Sequence, residues 1–60
     1  ALLGLSATTR SEVTENSGEI NLRGEVWSAR SLTKTIPAGH RVTVATIDGA
    51  IAVVEEEKKP

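Results

Sequence analysis

Sixty residues allow one domain at most, and the apolar 38% is nearly all Val, Ile, Leu and Ala, with Trp27 the sole aromatic and neither Cys nor Met. The lack of thiols excludes a disulfide framework and a thiolate metal site, and a single His, His40, cannot build a zinc site. A formal net charge of −1 supplies no basic field for nucleic acid or acidic lipid, and so small a chain has modest stability.

β-branched residues with Gly, Pro, Asn and Asp clusters every ten or so positions read as short strands. The first strand is expected from Leu3 to Thr9, with Leu3, Leu5 and Ala7 on one face. Arg10 to Ser17 is polar and closes on the turn signal Asn16-Ser17-Gly18; a helix there is disfavoured. Glu19 to Leu22 alternates, with Ile20 and Leu22 facing the same way. Arg23-Gly24 is a tight turn, and Glu25 to Ser31 returns as the second arm. On that arm Trp27 and Ala29 share one side and Val26, Ser28 and Arg30 the other, so alternation turns Trp27 and Ala29 inward.

Leu32 to His40 is expected as a loop, its Ile36-Pro37-Ala38-Gly39 forming a β-turn over which Ile36 plugs the core. Arg41 to Ile47 is a strong strand with Val42 and Val44 inward. Asp48-Gly49 is a hairpin signal, and Ala50 to Glu55 completes the pair with Ile51 and Val53 inward. The expected core is therefore Ile20, Leu22, Trp27, Ala29, Ile36, Val42, Val44, Ile51 and Val53. Five short strands predict an all-β fold, a small closed or nearly closed five-stranded barrel over 1–55, with 56–60 as a charged flexible tail. A chain that starts at Ala1 and ends in charge reads as a piece of a larger protein. No apolar run approaches the roughly 20 residues needed to cross a bilayer, so a membrane anchor would lie outside these 60 residues.

From Gly18 onward the chain resembles the C-terminal soluble domain of NfeD-like membrane proteins. That family's pattern, Gly–x–Ile/Val–x–Leu/Ile–x–Gly–Glu–x–Trp–x–Ala, is filled by Gly18, Ile20, Leu22, Gly24, Glu25, Trp27 and Ala29. Ile36, Gly39, Val42 and Val44 fill the next segment, and Gly49 with Val53 or Val54 the last. The first strand departs from the pattern: Ala7 and Thr9 fit, but the following Pro is missing and Gly18 arrives late. The resemblance implies an OB-like barrel that follows transmembrane helices and faces the cytoplasm. It also implies a protein partner of the SPFH (stomatin- or flotillin-like) membrane scaffold type and no cofactor.

Sharper readings of single residues compete with plainer ones. Trp27 could stack bases, as OB barrels often do, but in a chain without another ring it is expected to fill the core. Ser28, Ser31, His40 and Asp48 could suggest a catalytic triad, but no nucleophile elbow surrounds them, and the domain is read as non-catalytic. Arg23, Arg30, Lys34 and Arg41 could line a nucleic-acid groove, the alternative function, against which stand the net charge and the single aromatic. A carrier domain of the biotinyl or lipoyl type would need a Lys at a hairpin tip, where Asp48-Gly49 has none. The expected partner-binding residues are Val26, Ser28, Arg30 and Lys34, because Val26 is apolar yet opposite Trp27.

Overall fold

A computed structural model describes residues 4–57 and contains five strands: β1 (Ser6–Thr9), β2 (Glu19–Leu22), β3 (Glu25–Ser31), β4 (Arg41–Asp48) and β5 (Ile51–Glu56). They form a closed barrel in the order β1-β2-β3-β5-β4. Every pairing is antiparallel except β3 with β5, whose register runs from Ser28↔Ile51 to Ser31↔Val54. Among the described residues, closure leaves no open sheet edge to recruit another chain. Leu3, expected in the first strand, lies outside the described residues. The last strand extends through Glu56, one residue into the expected tail.

Strand directions sort the connections onto two ends. β1, β3 and β5 run the same way, so the start of β1 and both tight hairpin turns share one end. The long β1–β2 and β3–β4 connections share the other. The β2–β3 turn is Arg23-Gly24, between the paired Leu22 and Glu25, with φ of 55° and 85°. Positive φ at both positions defines a type I′ turn, whose twist matches the strands it joins. The second hairpin loop is Gly49-Ala50, one residue later than expected, because Asp48 pairs with Ile51; Gly49 takes φ 65°.

The long loops close their end from within. Val13 and Ile36 form an antiparallel bridge and are 0% and 1% exposed. Thr9 ties the same loops together: its Oγ1 donates to the Pro37 carbonyl at 2.7 Å and accepts from the His40 N–H at 2.9 Å. Gly18 makes this closure sterically feasible. A Cβ there would stand 2.6 Å from Val13 Cα and 2.7 Å from its Cγ2.

The core consists of Ala7, Val13, Ile20, Leu22, Ala29, Ile36, Val42, Val44, Ala52 and Val54. Three expectations are corrected, for Trp27, Ile51 and Val53. Trp27 points inward but is only partly buried, packed against the cluster beside Leu5 and Ile47 rather than filling the barrel. It pairs with Ile20 near the β2–β3 hairpin; the centre is filled by Ile20, Leu22 and aliphatic neighbours. Ile51 faces out and is 37% exposed. The cause is a register shift between Val44 and Thr46: Val44 pairs with Val54, but Thr46 pairs with Val53. An extra residue in one strand reverses the in–out alternation beyond it. Ile47, Ala52 and Val54 therefore turn inward, and Ile51 and Val53 outward.

Candidate functional site

Val53 faces out of the barrel and yet is 2% exposed. Its registered neighbours are Arg30 on β3 and Thr46 on β4. Arg30 Nη2 donates to Asp48 Oδ2 at 3.1 Å, joining β3 to β4 across the intervening β5. The arginine stem therefore lies over β5 and covers Val53, a use of the apolar part of a long cationic side chain. Among the partner-binding residues expected from sequence, Arg30 is thus already engaged within the barrel.

The others separate. Val26 and Ser28 are exposed on the outer face of β3, and Ser28 pairs with Ile51. Lys34 is in the β3–β4 loop at the far end, its Nζ 3.3 Å from Glu56 Oε1. The parallel β3–β5 seam instead brings to Val26 two residues that sequence reasoning missed. Ile51 lies diagonally from Val26 across the seam. Leu32 continues the outer row Val26, Ser28, Arg30 just past β3, and its N–H donates to the Val54 carbonyl at 2.8 Å. Val26 and Leu32 are each 52% exposed; with Ile51 they are the exposed large apolar residues among those described. All lie along one seam. Only the parallel pairing, which joins strands twenty residues apart, places them together.

The far end carries the other ionic contacts among the described residues. His40 Nδ1 is 3.4 Å from Glu56 Oε2, Arg41 Nε is 3.3 Å from Glu57 Oε1, and Ser6 Oγ donates to Glu57 Oε2 at 2.6 Å. The shallow depression lined by Gly39, His40, Arg41, Glu56 and Glu57 sits among these pairs. The residues of a hydrolytic reading are dispersed. Ser31 is buried and donates to the Lys34 carbonyl, Asp48 is held by Arg30, and His40 faces Glu56. Among the described residues no group of three His, Cys, Asp or Glu side chains could hold a metal ion.

Comparisons with known proteins agree with this geometry. The family model described as NfeD-like C-terminal, partner-binding domain matches residues 1–56. The fold is similar to the C-terminal domain of a stomatin operon partner protein from Pyrococcus horikoshii, with 37% identity and a TM-score of 0.90 over 97% of this chain and 91% of that one. It is equally similar to the soluble domain of a membrane protein implicated in regulation of membrane protease activity from Corynebacterium glutamicum, with 37% identity and a TM-score of 0.89 over 95% and 94%. No curated protein matches significantly. With the matched segment running from before β1 to the end of β5, the chain belongs to the NfeD-like C-terminal, partner-binding domain family.

Proposed function

We propose that this barrel is a non-catalytic interaction module of a membrane-anchored NfeD-like protein, and that it engages an SPFH scaffold of the stomatin or flotillin type on the cytoplasmic side. The observation that carries this reading is the β3–β5 seam. A monomer has little use for Val26, Leu32 and Ile51 together on one outer surface, and apolar clusters of this kind mark protein contacts. The stomatin operon named for the Pyrococcus horikoshii neighbour points to the partner class, and the Corynebacterium glutamicum neighbour to the membrane setting.

On this reading Val26 and Ser28 contact the partner directly. Arg30 holds the centre of the surface in shape, and Lys34 borders it. Nucleic-acid binding is disfavoured because three of the four cations that could line a groove, Arg30, Lys34 and Arg41, are each within 3.3 Å of a carboxylate oxygen. The test is titration of this chain with a purified stomatin-type scaffold, followed by calorimetry. Saturable binding lost on Val26→Thr with Ile51→Thr supports the assignment. Absence of binding to stomatin- and flotillin-type scaffolds alike overturns the partner class.

A further inference from the structure

The exposed apolar row has at its centre a cation whose hydrogen-bonding capacity is mostly unspent. Arg30 lies between Ser28 and Leu32 on the outer face of β3, and its side chain is 37% exposed. A guanidinium carries five N–H donors in a planar fork that matches a carboxylate. Among the described residues this one makes a single hydrogen bond, from Nη2 to Asp48 Oδ2 at 3.1 Å. The contact uses one prong of the fork, and Asp48 is itself 69% exposed, so the pair is weak. A carboxylate is thus the group this fork already takes, with donors left over for a second.

The other charges near the row do not outweigh this centre. The Arg10 N–H donates to the Glu19 carbonyl, so Arg10 and Glu19 stand side by side near the level of Ser28. Arg23 and Glu25 share the β2–β3 turn, and Lys34 holds Glu56. Glu55 remains, level with Leu32. It is four residues along β5 from Ile51, the residue that Asp48 pairs with. At roughly 3.3 Å per residue that is about 13 Å, beyond the screening length of about 8 Å in physiological salt. Closure also removes strand addition as a binding mode among the described residues. An occupant of this face must therefore satisfy its own backbone, as a helix does.

We propose that the β3–β5 seam binds an amphipathic helix of a partner protein whose apolar stripe covers Val26, Ile51 and Leu32 and is interrupted by one Asp or Glu, which the free edge of the Arg30 guanidinium takes. This rests on the partner-binding reading and gives the chemistry of the same surface. Arg30 keeps its stem over Val53 and acts as a polar anchor within an apolar patch, a role in which arginine is favoured at interfaces. Asp48 is then both a tether and a rival: it holds the side chain in place but sets a like charge near the incoming carboxylate.

The probes are two 14-residue helical peptides with the same leucine stripe, differing only at one central position, Glu in one and Gln in the other. Each is titrated into the isotopically labelled chain and followed by its amide signals. Both should shift signals of residues 26–32 and 51–53, and the Glu peptide should bind about fivefold tighter at low salt, the margin of a charged hydrogen bond over a neutral one. Asp48→Asn, which keeps a hydrogen-bonding oxygen without the charge, should widen the gap. Arg30→Met, whose stem still covers Val53, should abolish it, and Arg30→Lys, with charge but no fork, should keep only part of it. Circular dichroism checks the fold of each variant, and Asp48→Asn and Arg30→Lys keep the test decisive should Arg30→Met not fold. Equal affinities, a gap that survives Arg30→Met or narrows with Asp48→Asn, shifts elsewhere on the barrel, or no binding of either peptide would overturn the inference. Self-association or capture by anionic vesicles through this face would do the same. A glutamate preference that depends on Arg30, without binding of any stomatin- or flotillin-type scaffold, would sink only the SPFH assignment. Scaffold binding unaffected by the Arg30 changes would sink only this inference.

Discussion

Gly18→Ala tests whether the closed end of the barrel depends on the close approach of two loops. At φ 151°, Gly18 occupies backbone space that L side chains rarely adopt, and its missing Cβ would lie 2.6, 2.7 and 2.9 Å from Val13 Cα, Cγ2 and Cβ. Two of those atoms remain even in alanine, so Val13→Ala cannot relieve the clash. Overpacking of this kind costs about 1–3 kcal/mol, and the unfavourable φ adds about 1–2 kcal/mol. Unfolding entropy near 2.1 cal/mol/K per residue gives about 0.13 kcal/mol/K for sixty residues, or roughly 8 °C of melting temperature per kcal/mol. A fall of about 20 °C or more is expected by circular dichroism. Gly24→Ala is the control: its φ is also positive, at 85°, but a Cβ there meets nothing within 4 Å, so only about 1–2 kcal/mol is lost. If Gly18→Ala melts as high as Gly24→Ala, the steric reasoning is wrong.

Other perturbations isolate other parts of the structure. Arg23→Asn should raise stability by about 0.5–1 kcal/mol in urea unfolding, because Asn tolerates the left-handed φ of 55° better than Arg. Ile51→Lys should fold nearly as well as the parent and Ala52→Lys should not fold; the opposite pattern would contradict the register shift after Val44. Ile36→Ala should cost about 2–5 kcal/mol in the same assay, since it empties the plug beneath the long loops. Trp27→Ala should cost about 2 kcal/mol, below the range for a fully buried ring, and Trp27 emission should lie between core and solvent values.

Much of the barrel could be read from local chemistry. Arg23-Gly24 and the Gly49 turn mark both antiparallel hairpins, and alternation along β2 and early β4 places Ile20, Leu22, Val42 and Val44 inside. The Ile36 plug is likewise signalled by Pro37 and Gly39. What escaped was non-local or lacked a residue signature. The irregularity at Ala45 has no Gly or Pro, so VTVATID reads as a straight strand, and Ile51 is assigned to the wrong face. Val13 is a lone apolar residue in a polar stretch, buried only because Ile36 arrives to pair with it. Trp27 is assigned the right side, but its distance from the barrel end depends on stagger, which periodicity does not encode. The candidate surface was half legible. Alternation exposes Val26, whereas the proximity of Ile51 and Leu32 and the cover that Arg30 gives Val53 depend on parallel pairing.

That pairing also separates two substitutions that sequence alone would treat alike. Arg30→Glu with Lys34→Glu reverses two cations of the expected surface, but it also turns attractive contacts with Asp48 and Glu56 into repulsive ones and uncovers Val53. Exposed pairs are worth about 0.2–1 kcal/mol each, so this variant should lose about 1–2 kcal/mol and melt roughly 8–16 °C lower. Weaker partner binding by it would then confuse damage to the barrel with damage to the surface. Val26→Thr, Ile51→Thr and Leu32→Thr together keep strand propensity in β3 and β5 and touch neither ion pair. Because these side chains are 37–52% exposed, the melting temperature should stay within a few degrees of the parent. Binding should fall by an order of magnitude or more if the seam is the contact, since apolar residues at the centre of an interface carry most of its energy. A triple variant that melts like the parent and binds like the parent would move the contact away from β3 and β5, leaving the charged end around His40, Arg41 and Glu56 as the surface to test.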